Sequence, residues 1–260
     1  MSLSSEPVFS MLKNDFVVGY TNIENKKYAG ASGKHKPDEN AVDTTNGAGP
    51  HNLQIFVLAP DGTIMTCLPG YWKAEDLAKE LTLAKQLGKV WQDSNLSLEE
   101  KKMQFSQLQL DHIASHDQGM KNRSHLQGFD LQYELKNRPN SDFFYSARAI
   151  DPSTLKTPPK NVKTVDIVMH QRLAAHPFEP YERFDVATYA DYGKPIYDKH
   201  EQFLDTSGKI AEGSDLGSAP MIGNTPKAHP IKTQAKRTGS RVARSTVNHA
   251  LRYGIRAILH

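Results

Sequence analysis

Apolar residues follow different rhythms along this chain, and the changes of rhythm mark its elements. Residues 7 to 23, PVFSMLKNDFVVGYTNI, begin with Val8, Phe9 and Leu12 at helical spacing and continue as the β-rich run FVVGYTNI. They predict a short helix followed by a strand. Residues 24 to 49 lose the pattern and are rich in Gly, Asn and Asp, which predicts a long loop. The run LQIFVL then has strand length, APDG is a turn with Pro60 at its second position and Gly62 free to take positive φ, and TIMTCL is the returning strand. Pro69 and Gly70 end it.

A helical period takes over from about Lys73 to Trp91, with Ala74, Leu77, Leu81, Ala84, Gly88 and Trp91 on one stripe. Ser97 followed by Glu100 has the spacing of a capping box and predicts a second helix to about His116, with Phe105, Leu108, His112 and Ile113 inward. Residues 120 to 136 read as a third helix, and 162 to 175 as another, closed by Pro177. Residues 178 to 204 are aromatic-rich without a period and are expected to wrap over the first domain as irregular structure. The pattern divides the chain into a core at 1–92, a helical extension at 93–136, a linker, short helix and wrapping segment at 137–204, and a linker with a basic amphipathic tail at 205–260.

Composition refines this picture. The 260 residues are 38% hydrophobic with a mean hydropathy of −0.59, which predicts a modest core with long surface segments. No run approaches the roughly 18 apolar residues of a membrane span, and no signal peptide is visible at the start given. A soluble protein is expected, cytoplasmic by default. The formal net charge of +3 hides an asymmetry. No acidic residue follows Asp215, whereas Lys227 to the end carries eight positive side chains; the rest holds 24 positive against 29 negative, a net of −5.

Several residues are candidates for chemistry. The single cysteine, Cys67, cannot form an intramolecular disulfide and reads first as a small buried hydrophobe in a strand, second as a redox thiol. His112 and His116, four apart on a helix, share one face as metal-binding pairs do, with Asp111 and Asp117 beside them and His125 within reach as a third ligand. The bland reading is two histidines that pack or cap a helix end. His170, Arg172 and His176 form a separate group on the later helix, where Arg172 and Arg183 could clamp acidic groups. The alternative is an extension helix anchored by Phe178, Tyr181 and Phe184. In the tail, Val242, Val247, Leu251, Ile255, Ile258 and Leu259 make an apolar stripe, with Lys236, Arg237, Arg241, Arg244, Arg252 and Arg256 as an anion-binding set around it. Its partner is expected to be another protein, a second copy or the acidic body of its own chain, with an anionic membrane surface or nucleic acid, bound without sequence specificity, as alternatives. No phosphate loop, nucleophile elbow or dinucleotide fingerprint is present.

A strand, a Pro-Asp-Gly turn, an antiparallel strand, a terminal Gly and a helix that opens after LPGYW form a unit that resembles the closing ββα of the thioredoxin-like superfamily. FSMLKNDFVVGYTNI resembles the end of that fold's first helix and its following strand. The resemblance covers about residues 6 to 92. It implies an α/β fold with a central mixed sheet, closing β-hairpin and helix, followed here by a mainly helical and irregular C-terminal extension. The family's redox centre is a Cys-x-x-Cys at the start of the first helix, and this sequence has none. The expectation is therefore a non-catalytic scaffold or interaction protein that needs no cofactor. The alternative is a thiol-disulfide oxidoreductase whose redox motif lies upstream of the chain given.

Overall fold

A computed structural model of the protein describes residues 2–32, 44–146 and 161–197. In chain order these form a 3-10 turn (Ser2–Ser4), α1 (Val8–Asp15), β1 (Ala31–Ser32), β2 (Gln54–Leu58), β3 (Ile64–Pro69), α2 (Ala74–Gln92), α3 (Leu98–Ser115), α4 (Gln118–Arg123), α5 (Gly128–Asn137), α6 (Val165–Ala174), α7 (Val186–Tyr189) and β4 (Ile196–Tyr197). The class is mixed α/β, dominated by helices around a small antiparallel hairpin.

β2 and β3 pair antiparallel with Phe56 opposite Cys67 and a register shift at Val57/Leu58. The turn that joins them is built as its composition dictates. Gly62 has φ +84°, its amide donates to the Ala59 carbonyl at 3.0 Å, and the Asp61 side chain accepts from the Thr63 amide at 3.0 Å. β3 is buried along its whole length. Gly70 ends the hairpin at φ +77°, where a Cβ would lie 2.5 Å from the Gly47 carbonyl carbon and oxygen.

α2 and α3 form as their stripes predict. α2 starts with Glu75 and Asp76 in its first turn, has Lys89 in its last, and buries Leu77, Leu81, Leu83, Ala84 and Leu87. At α3 the capping box is complete: the Ser97 amide donates to Glu100 Oε2 at 2.8 Å, and Ser97 Oγ accepts from the Glu100 amide at 3.3 Å. α6 packs across α3 and also meets β3. Beyond α6, Phe178 packs on Trp91 and Phe105, Tyr181 meets Phe56 edge-on, and the Tyr189 hydroxyl donates to the Cys67 carbonyl at 2.8 Å. This aromatic segment covers the hairpin with little regular structure besides α7. One apolar core runs from Val8 through β3, α2 and α3 to Tyr192.

Three expectations are corrected. Residues 16–23 are not a strand: they have no ladder partner among the described residues, and Val17, Val18 and Tyr20 stand in solvent. β-propensity is local, whereas a strand needs a neighbour. For the same reason no central mixed sheet is formed among the described residues; besides the hairpin there is only the two-residue parallel pair β1–β4. The helix expected at 120–136 is two helices. The break is held because the Ser124 carbonyl accepts from the Val165 amide at 2.7 Å and the Ser124 hydroxyl accepts from Asn46 at 3.0 Å. The expected tail helix and its set Lys236, Arg237, Arg241, Arg244, Arg252 and Arg256 lie outside the described residues, as do 33–43 of the long loop and 147–160 of the linker.

Candidate metal centre

The helical periods of α2, α3 with its C-cap His116, and α6 each turn inward a stripe that mixes polar residues with apolar ones. On α2 the stripe is Asp76, Glu80, Leu83 and Leu87, on α3 it is Phe105, Gln109, His112 and His116, and on α6 it is Asp166, His170 and Leu173. Where the three stripes meet, Glu80, His112, His116 and His170 each turn one ligand atom toward a common point. These four atoms all lie within 4.8 Å of one another.

The cluster is dry. The side chains of Glu80 and His170 have no exposure, His116 has 1%, and His112 has 12%. Glu80 Oε1 lies 3.1 Å from His112 Nε2 and 3.2 Å from His170 Nε2. The three imidazoles meet edge to face, with centroids 4.6, 4.8 and 5.7 Å apart.

Hydrogen bonds on the far side of two rings decide which nitrogen faces inward. His116 Nδ1 donates to Asp166 Oδ2 at 2.5 Å, and His170 Nδ1 donates to Gln109 Oε1 at 2.6 Å. In a neutral ring that donates Nδ1–H to such an acceptor, Nε2 presents its lone pair to the centre. The two bonds cross the helix joint in opposite senses: α6 supplies the acceptor for a ring on α3, and α3 supplies the acceptor for a ring on α6. His116 Nε2 and Glu80 Oε2 are both buried without a hydrogen-bond partner, as are Asp166 Oδ1 and Gln109 Nε2 behind them. Such atoms are rare in native interiors because each costs about 1–3 kcal/mol.

The arrangement is a donor set without an acid. Lone pairs from imidazoles and a carboxylate converge, and their mutual repulsion is relieved only by a cation between them or by extra protons on the rings. Burial works to raise the Glu80 carboxyl, but the charge and hydrogen bonding of His170 and His112 outweigh it and hold the group well below the ordinary carboxylate range. Glu80 is therefore an anion in the interior. A divalent ion bound between the donors would supply the compensating positive charge in place of protons on the rings, which then serve as neutral ligands. Zinc bonds to nitrogen and oxygen at about 2.0–2.1 Å, so the edge of a tetrahedral site is about 3.4 Å. The Glu80 contacts at 3.1 and 3.2 Å already have nearly that length.

The residues singled out in the sequence are distributed as follows. His112 and His116 share the centre, and His170, which the sequence places in a different group, joins them. His125 does not: it is exposed, with Nδ1 2.5 Å from the Asn122 carbonyl. Asp117 caps α4 by accepting from the Met120 amide at 2.6 Å, and Asp111 accepts from Gln107. Arg172 is closed by both oxygens of Asp142 at 2.7 Å and by the Tyr189 carbonyl, and His176 lies by Glu179 at 3.7 Å. Cys67 is fully buried in β3, and burial pushes its thiol well up, away from the thiolate that redox exchange needs. Glu80, Gln109 and Asp166 are absent from the sequence reading. Their signal is positional: each is a polar residue on the same stripe as buried Leu or Phe.

No protein-family model, no curated protein and no solved structure matches the chain. Among the described residues, no helix is long and apolar enough to cross a membrane.

Proposed function

We propose that this chain is a metal-binding protein whose three-histidine, one-glutamate centre holds a single divalent transition-metal ion of the zinc class. This replaces the reading that no cofactor is needed. The observation that carries it is the convergence of four ligand atoms within 4.8 Å, two of their residues keeping a buried, unpartnered donor atom. Imidazole suits zinc, copper, nickel and iron, and a lone carboxylate does not shift that preference toward magnesium or calcium.

The role that fits is structural. Structural zinc sites use four protein ligands and leave no open position, whereas catalytic sites keep one for water or substrate. Here the protein supplies four donors, three of them from side chains at or below 1% exposure. The ion would join α2, the end of α3 and α6, elements whose ligands are up to 90 positions apart in sequence. A scaffold stapled by metal extends the interaction-protein reading. The test is metal analysis of the untagged full chain after gel filtration. One equivalent of zinc, retained and removed only by a strong chelator, is expected. A chain that holds no metal, and takes up none when Zn2+ is supplied, contradicts the proposal.

A further inference from the structure

Asp166 lies in the first turn of α6, fully buried, and reaches across the helix joint to the ring of His116. It supplies no ligand atom to the four-donor group. Its Oδ2 accepts the hydrogen bond from His116 Nδ1 at 2.5 Å, while its Oδ1 has no hydrogen-bond partner. Two consequences follow. The His116 ring can neither flip nor change tautomer without losing its only buried acceptor, so Nε2 stays aimed at the centre. A carboxylate behind the ring also strengthens Nε2 as a donor to a cation, which an amide in the same place does less. Gln109 does the first of these for His170 at 2.6 Å but adds no charge. The two outer partners are thus unequal, and Asp166 is the one whose charge strengthens its ligand.

Resting on the metal centre proposed above, we infer that Asp166 is a positioning residue for that ion, acting through His116 to set both ligand orientation and affinity for a divalent cation. Asp166→Asn tests this, because the amide oxygen still accepts from Nδ1 while the charge is gone. In the full chain, titrated with Zn2+ against a competing chelator, the variant is expected to bind about 10–100-fold more weakly than the parent. It should still saturate at one ion per chain. With Co2+ as probe, both proteins should give the same intense visible band of a four-coordinate site, since the four donors are untouched. Equal zinc affinity in parent and variant overturns the inference, and so does a changed Co2+ band, which would make Asp166 a ligand. A parent that binds no zinc overturns the metal reading itself, which is a different result. Should Asp166→Asn fail to fold, nitrogen NMR of the zinc-loaded parent decides: a proton on Nδ1 and metal on Nε2 of His116 are expected, and metal on Nδ1 overturns the inference.

Discussion

Asp76 and Glu80 lie one turn apart on the same face of α2, and neither exposes its side chain. Their surroundings differ in one respect. Asp76 is closed by the protein: Arg123 donates to Oδ1 at 2.7 Å and to Oδ2 at 2.8 Å, and Asn46 donates to Oδ2 at 2.7 Å. Burial pulls its carboxyl upward, but those hydrogen bonds and the Arg123 charge outweigh the pull and leave it below its ordinary value. Glu80 faces imidazoles instead of a guanidinium, and its Oε2 has no partner. A buried carboxylate needs a cation. Asp76 has a covalently attached one, and Glu80 sits in a cage suited to one that is bound. On one helix, at equal burial, the identity of the groups opposite thus separates a structural ion pair from the proposed metal ligand.

That contrast is broken most completely by removing a donor opposite Glu80. His170→Ala deletes one of four ligands, and zinc is expected to fall from one equivalent to none after gel filtration, read by elemental analysis. The same truncation opposite Asp76 should leave zinc untouched. Next in size is Asp76→Asn, which removes the buried one of the two carboxylates that Arg123 meets and leaves it with the exposed Glu75 at 3.0 Å. It should destabilise the fold by about 1–3 kcal/mol in urea unfolding, with metal content unchanged.

The pH dependence sharpens the same point. The folded Asp76 carboxyl lies below its ordinary value of 3.8, so its contribution is complete above that value and is lost as pH falls through the lowered one. The stability gap between parent and Asp76→Asn should therefore be full at neutral pH and close in acid below 3.8, as compared by urea midpoints. The smallest effect is expected at Cys67→Ser. A hydroxyl in that fully buried position costs about 1–2 kcal/mol, and zinc binding should not change. Loss of zinc in a folded Cys67→Ser protein would place the thiol in the centre and contradict the ligand set.

Much of the helical framework could be read from the sequence because it rests on local signals. The α2 stripe, the Ser97–Glu100 box and the Pro60–Gly62 turn each specify structure over a few residues, and each is seen. The strand expected at 16–23 depends on a partner, and its β-rich composition carries no information about one. The centre was half readable. His112 and His116 share a helix face, so their spacing shows it. His170 is 90 positions from Glu80 and meets it only because α6 and α2 both pack on α3, which no local period encodes. Glu80 was hidden for another reason. A glutamate in a helix ordinarily marks the solvent face, and only its alignment with Leu83 and Leu87 shows that this one points inward.

X-ray absorption at the zinc edge of the loaded full chain tests the ligand set most directly. The account predicts four nitrogen and oxygen neighbours at about 2.0–2.1 Å, with the outer-shell pattern of three imidazoles. A sulfur neighbour at about 2.3 Å, or six oxygen neighbours with no imidazole signature, would contradict it.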